Sequence, residues 1–177
     1  MNALEIELFT SDHAIRGFLD TAGERLSDVM NNQKESSILL SDVFIIRLVS
    51  AGKNPPAKMS LANISKDKIL FARPVQQDLT HKSLYRRAAR QMFQVAFNLP
   101  GFEVQGVIHL PGKLDVARVF IERPEDFVPV TNGRAIYTYN PRLEVVSSVF
   151  IINKHQVSML AEIPPSSDYG KKSALAE

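Results

Sequence analysis

The sequence predicts a mainly β protein: two tandem small barrels of β-β-α-β-β-β order joined by a helix. Three observations carry that expectation. Ile15-Arg16-Gly17-Phe18-Leu19 returns as Val104-Gln105-Gly106-Val107-Ile108, and Gly17 and Gly106, like Gly23 and Gly112, lie 89 positions apart. Past one inserted residue the offset is 90, which sets Asn63 on Asn153, Leu70 on Leu160 and Pro74 on Pro164. Such self-similarity marks one unit written twice. Both copies consist mostly of short apolar runs bounded by turn residues. Helical spacing is confined to one short stretch in each copy and to the segment between them. The expected divisions are 1–75, a connecting helix at 76–92, 93–164, and a disordered tail at 165–177.

In the first copy, Leu4, Ile6 and Leu8 alternate with Glu5 and Glu7, and Ser11-Asp12-His13 supplies a turn before a strand over 13–21. A glycine inside a strand, here Gly17, marks a bend or a close backbone approach. Leu26, Val29 and Met30 have the spacing of a short helix over 25–32. A long strand over 37–49 follows, then a turn at Gly52 to Pro56, a strand through Met59, Leu61 and Ile64, and a last short strand over 69–72. The second copy repeats this order, with strands over 93–99 and 102–110 and a helix over 115–122. A long strand over 126–139, broken at Asn132-Gly133, then precedes strands over 145–153 and 156–161. Between the copies, Thr80 is a candidate N-cap for a helix over 78–92. Its apolar stripe is expected to pack between barrels related by a pseudo-twofold.

The chain is 45% apolar and 23% charged, the composition of an ordinary globular protein. It has no cysteine, which excludes disulfides, zinc–cysteine sites and thiol catalysis. The first residues lack the basic and apolar regions of a signal peptide, and no apolar run approaches a membrane span. A cytoplasmic chain with no membrane partner is expected. The net charge of +2 has one origin. Residues 4–74 carry nine basic and nine acidic side chains, and 94–164 carry six and seven. The connector sets Lys82, Arg86, Arg87 and Arg90 against Asp78 alone.

Two resemblances attach to these residues. Ile15-Arg16-Gly17, with Arg25-Leu26-Ser27-Asp28-Val29-Met30-Asn31, resembles an uncharacterised bacterial family of small β domains. That family couples an I-x-G strand to an R-L-S-D-x-L-N helix. The second copy keeps the strand but has Leu114-Asp115-Val116-Ala117-Arg118 in place of the helix motif. The resemblance implies a fold and no activity. The wider pattern is similar to Sm-like, SH3-type barrels, and Lys154-His155-Gln156-Val157-Ser158 resembles a segment of bacterial Sm proteins. The Asp and Asn with which that family contacts RNA have no clean counterpart here.

No catalytic set can be assembled. His13, His81, His109 and His155 have no partner at metal-ligand spacing and read as turn, cap or strand residues. Gly170-Lys171-Lys172-Ser173 lacks the first glycine of a phosphate loop. Glu122, Glu125 and Asp126 straddle Pro124 and read as a solvated turn. Arg25 and Asp28, spaced for a weak helix pair, read as shaping the loop between strands two and three. Lys82, Arg86 and Arg90, four apart, share a helix face with Arg87 and Tyr85 beside it. They are the candidate contacts for a partner or for nucleic acid. The expected function is a non-enzymatic scaffold or adaptor, with an unidentified protein partner or self-association and neither cofactor nor metal. The alternative is an RNA- or DNA-binding Sm-like module that uses the connecting helix. Gly17, Gly106, Arg25, Asp28, Asn63 and Asn153 mark the repeat.

Overall fold

Apolar side chains at every second position drive the chain into strands with one buried face. The computed structural model describes residues 3–76 and 90–164, and both segments are mainly β. Strands β1 (Ala3–Phe9) and β2 (His13–Asp20) form the expected hairpin. Helix α1 (Leu26–Asn31) buries Leu26, Val29 and Met30. The first half is completed by β3 (Ser37–Arg47), β4 (Ala57–Ser65) and β5 (Phe71–Pro74). The second contains β6 (Gln91–Leu99), β7 (Phe102–Leu110), β8 (Phe127–Tyr137), β9 (Glu144–Asn153) and β10 (Met159–Glu162).

Among the described residues all ten strands belong to one open antiparallel sheet, in the order β10-β6-β7-β8-β9-β5-β1-β2-β3-β4. Two separate closed barrels are therefore not what forms. The reason lies in β5, which pairs with β1 on one side and with β9 of the other half on its second side. Its outer edge is thus occupied and cannot close the first half. The halves are not related by a twofold either. Each crosses the sheet in the same sense, so β5, the last strand of the first half, meets β9, the fourth strand of the second.

The glycines of the repeated segment have a physical task. The β2–β3 register shifts between Arg16 and Phe18, and the β7–β8 register shifts between Gln105 and Val107. A Cβ on Gly17 would lie 2.9 Å from the Ser41 carbonyl oxygen. One on Gly106 would lie 3.0 Å from the Thr131 carbonyl oxygen and collide with Val130 Cγ1. On the facing strands, Asp42 and Asn132 take φ values of 49° and 51°. These are two of the few residue types that enter this region at low cost. Strand β8 thus continues through Asn132-Gly133 as a bulge.

Two expected helices fare differently. Residues 115–122 form a run of turns in which Val119 N–H donates to Asp115 O and Glu122 N–H to Arg118 O, both 2.9 Å, with no continuous ladder. Three β-branched residues, Val116, Val119 and Ile121, disfavour joining these turns into a helix. Val119 is buried all the same, and Phe120 stacks on Phe97 at 6.1 Å between centroids. Of the expected connecting helix, residues 78–89 lie outside the described residues, whereas Gln91 and Met92 belong to β6.

The cores interlock at the junction. One cluster is built chiefly from the second half yet includes Phe9, Leu48, Leu70 and Phe71. The other is built chiefly from the first half yet includes Phe127 and Ile151. Phe71, fully buried, stacks on Phe9 at 4.4 Å and meets Phe102 and Phe150 edge-on at 5.1 Å each. Aromatic pairs of this geometry add to the area they bury. Beside the junction, Arg73 on β5 pairs with Glu7 of its own half at 2.7 Å and donates across it to Val146 O at 3.0 Å. Replacing Phe71 by alanine is expected to cost about 3–5 kcal/mol, the usual range for a buried phenylalanine. Urea unfolding would read the loss, and hydrogen exchange should show amides of both halves opening together. Loss of protection in the first half alone would contradict a shared core.

Candidate functional site

Where β5 meets β9, loops from both halves border a cleft of about 360 Å³. The first half contributes the end of α1 and the 3-10 turn Lys66–Lys68; the second contributes Asp126, Phe127 and the 3-10 turn Lys154–Gln156. Asn31, the last residue of α1, acts as a surrogate strand residue. Its Nδ2 donates to Ser27 O and Phe127 O, both 2.9 Å, and its Oδ1 accepts from Phe127 N–H at 2.8 Å.

Lys66 is buried, and its ammonium donates to Val29 O and Asn32 O, each at 2.9 Å. A cation at these carbonyls satisfies the open end of α1 and complements its dipole. Burial holds the Lys66 pKa below its ordinary value, and the nearby Glu35 carboxylate opposes that shift. Asn153, also buried, donates through Nδ2 to Lys66 O at 3.3 Å and Ile69 O at 3.0 Å, while its backbone N–H donates to Leu70 O at 2.9 Å. Gln156 Nε2 reaches Asp67 O at 2.8 Å. The bonds of Asn31 with Phe127, of Asn153 with Lys66, Ile69 and Leu70, and of Gln156 with Asp67 cross the junction, whereas those from the Lys66 ammonium stay within the first half.

At the rim, His155 Nε2 lies 2.8 Å from Asp126 Oδ1, and Lys154 Nζ lies 3.7 Å from the same oxygen. The His155 bond, then the charges of His155 and Lys154, hold the Asp126 carboxyl below its ordinary value, with burial opposing. A His–Asp pair is half of a nucleophile-activating set. Ser36 is the hydroxyl residue on the cleft wall, and no hydrogen bond joins it to this pair. Among the described residues no group of three or more His, Asp or Glu could hold a metal. No helix among them is long and apolar enough to cross a membrane.

Lys82, Tyr85, Arg86 and Arg87 lie outside the described residues, as does His81. Arg90 is exposed just before β6. Arg25 is the N-cap of α1 without a side-chain capping bond, and Asp28 accepts from the Ser27 hydroxyl on the exposed side. His109 lies 2.9 Å from the Thr131 hydroxyl. Asn63 faces Leu39 on an exposed strand, whereas Asn153 faces Phe127 in the core. Since Ser37 and Phe127 occupy matching places on β3 and β8, the strand registers match Asn153 with Ser65. The offset is 90 along β3 and β8 but 88 along β4 and β9.

The remaining feature is the pair of sheet edges. β4 and β10 end the sheet, and each carries large apolar side chains in solvent: Met59 and Leu61 on one, Met159 on the other. Leu39 and Phe44 extend the exposed apolar surface onto β3. An edge strand offers unpaired N–H and C=O groups to another strand. Set against protein-family models, curated proteins and solved structures, the chain matches none of them.

The cleft rim responds to acid. Because Asp126 titrates lower in the folded chain, its contribution is present above the ordinary aspartate value of 3.8 and is lost as pH falls through the depressed one. Asp126→Asn should therefore lower the melting temperature at about pH 5. The difference from wild type should shrink as the pH approaches 2. A difference that stays constant across that range would exclude the ion pair as its source.

Proposed function

We propose that this chain is a non-enzymatic scaffold or adaptor, built from two copies of one Sm-like or SH3-like unit, whose binding surfaces are its open sheet edges. The observation that carries this reading is the fusion of the halves through β5 and β9. It leaves two unlike edges, β4 and β10, bearing exposed Met59, Leu61 and Met159. The copy relation is supported by the shared strand order and by the paired bulges at Asp42 and Asn132. It is supported too by matching turn bonds, Leu70 N–H to Phe9 O at 2.8 Å and Ser158 N–H to Asn98 O at 2.9 Å. The polar groups of the cleft serve the junction, which favours a binding module over an enzyme.

Edge binding has a direct test. Proline at position 63 removes an N–H on an edge strand, where proline is tolerated. The wild-type chain should retain a partner from a lysate of its own organism that the Asn63→Pro chain does not. A partner held equally by both would exclude the β4 edge.

Arg90 favours a second reading. Burial lowers the Arg123 pKa, the Glu125 carboxylate opposes it, and the charge of Arg90 adds to the fall, so Arg90 is near enough for the two cations to act on one another. That is the beginning of a phosphate-binding face in an RNA- or DNA-binding module that uses Lys82, Arg86 and Arg87 as well. Binding should then weaken tenfold or more between about 50 and 200 mM salt, as several phosphate contacts require. Arg86→Glu with Arg90→Glu should abolish it. No binding to single- or double-stranded RNA or DNA at the lower salt would remove this reading.

A further inference from the structure

We propose that the chain assembles with further copies of itself, head to tail, β4 of one molecule pairing with β10 of the next. The pairing repeats between molecules what joins β9 to β5 within one. The inference rests on the scaffold reading and names its partner, a second copy of this chain.

The argument starts from direction. Two units related by a twofold would bring like edges together and leave like edges free. Here both halves cross the sheet in the same sense, so the junction joins unlike edges and leaves one of each kind at the two ends. The free β4 occupies the place in the first half that β9 occupies in the second. The free β10 likewise corresponds to β5. A contact of this kind is heterologous and can be repeated indefinitely.

Register makes the proposal specific. Val95 faces Gly106 as Ile6 faces Gly17, and Met159 faces Asn98 as Phe71 faces Phe9. Phe71 thus corresponds to Met159 and Ala72 to Leu160. By the same counting through β3 and β8, Ile152 corresponds to Ile64 and Ile151 to Asn63. The junction pairs Phe71 with Ile152 and Ala72 with Ile151. Between molecules, Met159 therefore faces Ile64 and Leu160 faces Asn63. The Ser65 N–H donates to Ser158 O, reproducing the 2.9 Å bond from Asn153 N–H to Leu70 O.

The side chains set the strength. Phe71 is fully buried at the junction, whereas Met159 is 47% exposed at the free end. Val149 packs half-buried against the first-half core, whereas its counterpart Leu61 is 64% exposed. Pairing would cover both. The free edges hold Ala62 where the junction has Phe150, and Asn63 where it has Ile151, so the contact between molecules is the weaker one. Assembly is therefore concentration-dependent. In this register β10 ends opposite Leu61, which keeps Lys58 outside the paired stretch. Whether the array closes into a ring or runs on as a filament depends on the rotation per unit. Either way each molecule adds two units.

The test is sedimentation velocity on the purified full chain over a wide concentration range. The mass is expected to rise from 19.8 kDa in whole-chain steps. Asn63→Pro, which blocks β4, and Met159→Lys, which blocks β10, should each remain single chains, with the dissociation constant raised at least roughly tenfold. Mixed in equal amounts, they should form a complex of two chains and stop there, because one open β4 meets one open β10. Far-UV circular dichroism checks that each variant is folded, and Leu61→Lys replaces Asn63→Pro if the proline variant is not. Self-association of either variant alone would mean that like edges pair, and would overturn the proposal. A wild-type chain that stays at 19.8 kDa throughout would also overturn it. That result leaves the scaffold reading to its own lysate test, in which the partner is another protein.

Discussion

The structure depends on one short strand that serves two halves. β5 is four residues long, yet it pairs with β1 and β9 and delivers Phe71 into a ring cluster made by Phe9, Phe102 and Phe150. A half of roughly 75 residues is near the lower limit for independent stability. Sharing a strand relieves that limit, because apolar surface that would otherwise be an exposed edge becomes interior. The same arrangement explains why the polar groups near the junction are so fully used. Asn31 and Asn153 satisfy main-chain groups of Phe127, Lys66 and Ile69 where the halves meet, and Lys66 adds bonds to carbonyls at the end of α1. These contacts specify how the halves meet, and the aromatic cluster supplies the larger part of the attraction.

Because the two halves follow one another in the same sense, the molecule has a polarity that neither half reveals alone. One end shows a nine-residue strand, β4, and the other a four-residue strand, β10. Such polarity is foreign to a closed dimer and natural to an array. It also separates the sheet ends from the junction cleft: the contacts of the cleft hold the halves together, whereas among the described residues β4 and β10 are each paired on one side only.

Much of the sheet was legible in the sequence. Alternation in Leu4-Glu5-Ile6-Glu7-Leu8 located β1, and the glycine within β2 pointed to the close backbone approach that Gly17 makes to β3, though not to the bulge there. Asn63 and Asn153, set together by the linear offset of 90, share a residue type but not a place in their halves. A strand register decides that, and registers depend on cross-strand packing that a linear comparison does not see. The second short helix was misread for a related reason: Val116, Val119 and Phe120 have helical spacing, but burial of Val119 needs only one turn. The closure of each half could not be read locally. Whether β5 folds back on its own half or joins β9 depends on Phe71 finding Phe102 and Phe150 far along the chain. Nor did Lys66 or Asn31 look functional, since a lysine in a turn and an asparagine at a helix end are the ordinary occupants of those places. Their main-chain contacts, and for Lys66 its burial, set them apart.

The shared core has a consequence during synthesis. Phe9 and Phe71 leave the ribosome well before Phe102 and Phe150, the rings that cover them. At roughly 5–20 residues per second, the nascent first half waits several seconds with two adjacent aromatic rings and the outer side of β5 unprotected. A chaperone that holds extended apolar segments would find its target there, and only until β9 emerges.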